Sequence, residues 1–252
     1  MGEYVLHMNN EGILEFIIDR PDKRNAVSYE IMNGLQKAMD ECVQNDHVKA
    51  LVITGSGARA FCSGGDLSQF HNLKTESESY EMLSKMGSLL TRLAFLPKPT
   101  IAFINGTAIG GGCEIAAACD FRVARRTAKM GFVQGNLAIT TGWGGGTLLL
   151  ERLPVSKAMS LLMTARLEKA EALHEMGFVD EVVDEMVPLH EVPFIQMISS
   201  KSAGVLMAYK RQLLNRWNTK RIEANIQEEI KQCSKLWAHD EHHKAVDQFL
   251  SK

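Results

Sequence analysis

Twice in this chain a short apolar run leads into glycines and then toward a helix. Ala50-Leu51-Val52-Ile53-Thr54 is followed by Gly55-Ser56-Gly57 and then by Ser63-Gly64-Gly65-Asp66. Thr100-Ile101-Ala102-Phe103-Ile104 is followed by Asn105-Gly106 and then by Gly110-Gly111-Gly112. Short, unbroken apolar runs rich in β-branched residues suit buried strands, and their alternation with helices points to an α/β core. Glycine adopts positive φ and lets another group approach the backbone closely. Two such units can aim backbone N–H groups at one point, so the repeat constrains both the fold class, α/β, and the place to look for chemistry.

The remaining periodicities agree. Ile13–Ile18 is a strand closed by the turn Asp19-Arg20-Pro21-Asp22, and Phe121–Ala124 is another. Ser28 is placed as the N-cap of a helix whose apolar face is Ile31, Leu35, Ala38, Met39, Cys42 and Val43. Met82, Met86, Leu89, Leu90 and Leu93 form a second helical stripe, and Ile222, Ile226, Ile230, Cys233 and Trp237 a third. Charge divides the chain near Ser199: residues 201–252 carry net +4, against −6 for residues 1–200. The expected organisation is an α/β core over residues 1–198 and a helical region over 199–252, whose stripe is a candidate for packing on a neighbouring subunit.

Composition narrows the class. A chain of 252 residues with 45% hydrophobic and 23% charged residues has a core large enough to need neither disulfide nor metal. The net charge of −2 gives no global attraction to nucleic acid or membrane. Five scattered cysteines without a C-x-x-C pair suit a reducing, cytoplasmic setting, and neither a signal peptide nor a membrane span is visible.

Gly110-Gly111-Gly112 precedes the alanine-rich stretch Cys113-Glu114-Ile115-Ala116-Ala117-Ala118. A helix N-terminus presents unsatisfied N–H groups and a positive dipole end, which suit an anion or a developing oxyanion; the plainer reading is a tight turn. Neither common phosphate-loop spacing is present, which disfavours a dinucleotide or ATP enzyme. His239-Asp240-Glu241-His242-His243 lacks an established metal spacing and is read as a solvated helix, with no metal assigned. The basic stretch Lys201–Ile222 is likewise read as solvated, or as facing a neighbouring subunit, rather than as an RNA surface.

Four segments together resemble the enoyl-CoA hydratase/isomerase, or crotonase, family. They are Arg20-Pro21-Asp22-Lys23-Arg24-Asn25-Ala26, Ala60-Phe61-Cys62-Ser63-Gly64-Gly65-Asp66-Leu67, the run from Lys98 to Glu114, and the run from Ala170 to Val182. The resemblance implies a spiral of ββα units, a helical C-terminal trimerisation region, trimers or hexamers, and an acyl-CoA substrate passing through an enolate-like anion. It implies that the peptide N–H groups of Gly65 and Gly111 hold the thioester oxygen. It places Lys23, Arg24, Ala26, Ala60, Gly64, Asp66 and Leu67 along the CoA, with no cofactor beyond the CoA carried by the substrate. Asp66 has the alternative of capping a helix, and Lys23 and Arg24 of forming a solvated turn.

The family's hydratases use two glutamates. Glu114 matches the first; counting back from Trp143-Gly144-Gly145 puts Gln134 at the second. An amide cannot abstract a proton. The Trp-Gly-Gly segment is similar to the family's ethylmalonyl-/methylmalonyl-CoA decarboxylase branch. In that reading Trp143 forms apolar wall, or simply core, and Glu114 supplies a proton, or simply caps. Decarboxylation of a short malonyl-type thioester is therefore the leading expectation. Hydration of a short 2-enoyl-CoA is the alternative, with Asn136 or His71 the nearest stand-ins for the second carboxylate. A non-catalytic CoA- or RNA-binding relative is a third.

Overall fold

The computed structural model describes residues 2–184 and 187–251. Its strands are β1 (Tyr4–Met8), β2 (Ile13–Ile18), β3 (Ala50–Gly55), β4 (Ala60–Cys62), β5 (Thr100–Ile104), β6 (Thr107–Ile109), β7 (Phe121–Arg125), β8 (Lys129–Gly131), β9 (Glu168–Lys169) and β10 (Glu181–Val183). Its helices are α1 (Tyr29–Gln44), α2 (Leu67–Phe70), α3 (Glu76–Ala94), α4 (Gly111–Ala118), α5 (Gly145–Arg152), α6 (Val155–Thr164), α7 (Ala170–Met176), α8 (Pro193–Ser199), α9 (Ala203–Arg216), α10 (Thr219–Trp237) and α11 (Asp240–Leu250).

One sheet has the order β1-β2-β3-β5-β7-β10, parallel except for the β1–β2 pair; the smaller one has the order β4-β6-β8-β9. The strands β3, β5 and β7 of the larger sheet are each followed directly by a strand of the smaller one, and helices close each turn. This is the expected ββα spiral. β3 is buried throughout. Leu51 and Ile53 face one apolar cluster with Phe16 and Leu35, while Ala50 and Val52 face a second with Ile101, Val123 and Ile195. That two-sided burial is why the run reads as continuous rather than alternating.

The strands at Ile13–Ile18 and Thr100–Ile104 stand as expected, and those at Ala50 and Phe121 each extend one residue further. The Ser28 hydroxyl accepts from Ile31 N at 3.2 Å and caps α1. Val43 is a correction: it is 44% exposed, because it lies about 100° around the helix from Cys42 and off the buried face.

Beyond Ser199 the described chain is helical. The stripe Ile222, Ile226, Ile230, Cys233 and Trp237 is buried, but within its own chain: α10 lies along α3 and reaches α5. A Cβ on Gly87 of α3 would stand 2.6 Å from Ile230 Cδ1, and one on Gly142 2.6 Å from Cys233 Sγ. The stripe is thus occupied in cis and is not a free surface for a neighbouring subunit. The basic stretch is also partly spent inside: Lys210 is buried and ion-paired to Asp120 at 2.5 Å, and Arg221 pairs with Glu151 at 2.7 Å. His242 is buried rather than solvated, with Nδ1 2.7 Å from Leu137 O and its ring against Trp237. Among the described residues no helix is long and apolar enough to cross a membrane.

Candidate active site

The two glycine units meet. β4 ends at Cys62 and the chain turns through Gly64, at φ +92°, before Asp66 caps α2. β6 ends at Ile109 and turns through Gly110, at φ +54°, into α4. These left-handed values are the physical reason for glycine at both positions. The loops are almost in contact: a Cβ on Gly64 would lie 3.2 Å from Gly111 N, and one on Gly112 2.1 Å from Cys62 O. The Gly65 and Gly111 N–H groups donate to no acceptor among the described residues. Two unspent amides beside the positive end of α4 suit an oxygen that gains negative charge during reaction.

Trp143 covers this place. Its indole packs on Gly111, where a Cβ would fall 2.1 Å from Cζ3, and near Gly65, where a Cβ would fall 3.6 Å from Cζ2. Phe70 also packs at Gly65, where a Cβ would fall 3.0 Å from its Cδ2. Trp143 is therefore a buried core residue and a neighbour of both glycines.

Glu114 is 3% exposed, one helical turn into α4. Its Oε1 accepts from Gln134 Nε2 at 2.9 Å and Gly142 N at 3.4 Å; its Oε2 accepts from Trp143 N at 2.8 Å and Gly145 N at 2.9 Å. Burial, with the charge of nearby Glu229 added, pushes its pKa up to about 8 even though the three backbone donors pull it down. A shift in that direction favours the protonated form of the carboxyl. Gln134 does stand beside Glu114, as counted, and its Oε1 is buried with no partner among the described residues. The proposed stand-ins are hydrogen-bonded elsewhere: Asn136 donates to Ala165 O at 3.0 Å, and His71 Nδ1 lies 2.8 Å from Leu67 O.

The segments expected to line CoA are stitched together. Ser63 N donates to Arg24 O at 3.1 Å, Val27 N to Gly64 O at 2.8 Å, and Asn25 Nδ2 to Ala60 O at 2.7 Å. Lys23 and Arg24 stand exposed beside them, Ala26, Ala60 and Gly64 are buried, and Leu67 is half-buried. The Asp66 carboxylate is spent structurally. It caps α2 through Ser68 N at 2.9 Å and pairs with Arg20 at 2.6 Å, and both interactions hold its pKa below the usual carboxylate range against the effect of burial.

Three residues of this region escaped the sequence reading. Arg20 donates to Ala26 O at 2.7 Å as well as to Asp66, and Asn25 fastens the left-handed Arg24–Asn25 turn. Both lie in the Arg20–Ala26 motif, so the motif itself was the signal. Glu229 of α10 accepts from Gly144 N, Gly146 N and Thr147 N at 3.1, 3.2 and 2.7 Å. Its only local sign was an acid beside an apolar stripe.

A family model described as enoyl-CoA hydratase/isomerase matches residues 8–252. The chain is 31% identical over 237 residues to the crotonyl-CoA hydratase of Syntrophomonas wolfei, spanning 94% of this chain and 87% of that one. It is 29% identical over 236 residues to the short-chain-enoyl-CoA hydratase of Clostridium acetobutylicum, spanning 93% and 90%. The crystal structure of carnitinyl-CoA hydratase from Mycobacterium avium superposes with a TM-score of 0.86 at 27% identity, covering 100% of this chain and 96% of that one. Fold, glycine loops and sequence agree, and the chain belongs to the enoyl-CoA hydratase/isomerase family of enzymes acting on CoA thioesters.

Proposed function

We propose that this enzyme decarboxylates a short malonyl-CoA-type thioester through an enolate. The observation that carries the reading is the Glu114–Gln134 pair: one buried carboxyl with a raised pKa faces an amide where paired-carboxylate chemistry needs a second acid. In the proposed reaction the bond between C2 and the substrate carboxylate breaks, and CO₂ leaves. The electron pair becomes the thioester enolate, whose oxygen accepts from Gly65 N–H and Gly111 N–H. Glu114 then protonates C2 and recovers its proton from solvent, giving the shortened acyl-CoA. Trp143 and Phe70 keep the carboxylate in apolar surroundings, which favours loss of its charge as CO₂. Gln134 serves either protonation state of Glu114: its Nε2 donates to the carboxylate, and turning the amide would let Oε1 accept from the acid.

Lys23, Arg24, Ala26, Ala60, Gly64 and Leu67 are proposed to border the CoA, with Asp66 acting through Arg20 and the α2 cap. A homotrimer or a pair of trimers is the proposed assembly, and residues 199–252 remain proposed as the helical region serving it. Sedimentation of the purified protein at micromolar concentration tests the assembly, and a strict monomer contradicts it.

Hydration of a short 2-enoyl-CoA is the second reading, favoured by the names of the two relatives above. Mass spectrometry of substituted malonyl-CoA thioesters and crotonyl-CoA after incubation with the enzyme separates the two.

A further inference from the structure

The Gly142–Thr147 segment divides its donors between two carboxylates from distant parts of the chain. Glu114 of α4 takes the N–H groups of Gly142, Trp143 and Gly145 at 3.4, 2.8 and 2.9 Å. Glu229 of α10 takes those of Gly144, Gly146 and Thr147 at 3.1, 3.2 and 2.7 Å, and the Thr147 hydroxyl at 2.7 Å. Every amide from Gly142 to Thr147 is thereby used, and Trp143, whose indole packs on Gly111, lies within the segment so held. The fit around this segment is tight: a Cβ on Gly145 would lie 2.3 Å from Glu114 Cγ, and one on Gly144 2.9 Å from Ile226 Cγ1.

We propose that Glu229 is a positioning residue for the reaction: from the far side of the α5 N-terminus it fixes the turn that carries Trp143 and presents the Glu114 carboxyl to Gln134. The inference rests on Glu114 being the proton donor. Its geometry makes α10 a working part of the active site, although no atom of Glu229 need touch substrate. The charge has a second consequence. Among the described residues, the titratable groups that interact with Glu114 include Glu229 and Cys233 on α10 and Cys113 on its own helix, and none of these three is cationic. Like charge disfavours ionisation, so Glu229 helps keep the Glu114 proton in place.

The test is an infrared titration of the full-length, substrate-free protein, following the C=O stretch of a protonated buried carboxyl. Glu114→Gln identifies the band by removing it. In Glu229→Gln the midpoint of that band is expected about one pH unit lower than in the wild type, because a like charge has gone while an acceptor remains. Glu229→Asp keeps the charge but draws it back, and is expected to move the midpoint less and in the same direction; it serves if the glutamine variant does not fold. A Glu229 variant that melts earlier yet leaves the Glu114 midpoint unmoved would overturn the inference, as would a wild-type Glu114 already ionised at pH 6. The outcome is separable from the reaction itself: a midpoint that moves as stated in a protein releasing no CO₂ upholds the role of Glu229 and contradicts only the decarboxylation.

Discussion

At the scale of residues, the proposed chemistry depends on protonation and on two amides. As the proposed proton donor, Glu114 would act only while neutral, so activity limited by that step is expected to be full well below pH 8 and to fall as pH rises through about 8. A pH–rate profile checks this, and a limb falling toward acid instead would reverse the assignment. Glu114→Gln is expected to lower turnover by ~100-fold or more, the usual worth of a general acid. The amide role of Gly111 needs a paired design, because any Cβ there meets Trp143. In a Trp143→Ala background, Gly111→Ala keeps the N–H and Gly111→Pro removes it, and circular dichroism checks that both fold. The proline form is expected to be slower by ~100-fold, and equal rates would remove Gly111 from the oxyanion site. These positions were legible because a glycine loop after a buried strand is a local pattern. Glu114 and Gln134 were legible through spacing within motifs. Glu229 was not, because its role comes from a contact across the fold and its neighbours in sequence only describe a helix face.

At the scale of elements, strands and helices followed their periodicities, and the errors concern what each face meets. The stripe on α10 was correct as a stripe, but periodicity does not say whether its partner is the same chain or another. Here the partner is α3, through Gly87 and Ile230. Ile230→Ala should leave a cavity and cost about 2–5 kcal/mol, read as a lower denaturation midpoint with an unchanged slope. A substitution within about 0.5 kcal/mol of wild type would place that face outside the core. The N-terminus of α3 was a missed signal: Thr75-Glu76-Ser77-Glu78 is a capping box, with Glu78 N donating to Thr75 Oγ1 at 3.2 Å and Thr75 N to Glu78 Oε2 at 3.0 Å. The basic run around α9 was read as solvated because charge is usually exposed, yet Lys210 is buried on Asp120. Lys210→Met leaves that carboxylate without its shortest partner and is expected to cost about 3–5 kcal/mol in equilibrium unfolding.

At the scale of the whole molecule, the spiral brings three distant stretches to one place. The turn at residues 20–27 and the two glycine units form the proposed CoA side, and α10 braces the far side through Glu229. The same scaffold would serve hydration if residue 134 carried a second carboxyl. Gln134→Glu is therefore the change that tests the central claim most directly, followed by CO₂ release from a substituted malonyl-CoA and hydration of crotonyl-CoA on the same preparations. The wild type is expected to release CO₂ and to hydrate slowly. The variant is expected to lose decarboxylation, because a second negative charge opposes the substrate carboxylate, and to gain hydration. A wild type that hydrates crotonyl-CoA rapidly and releases no CO₂ would contradict it.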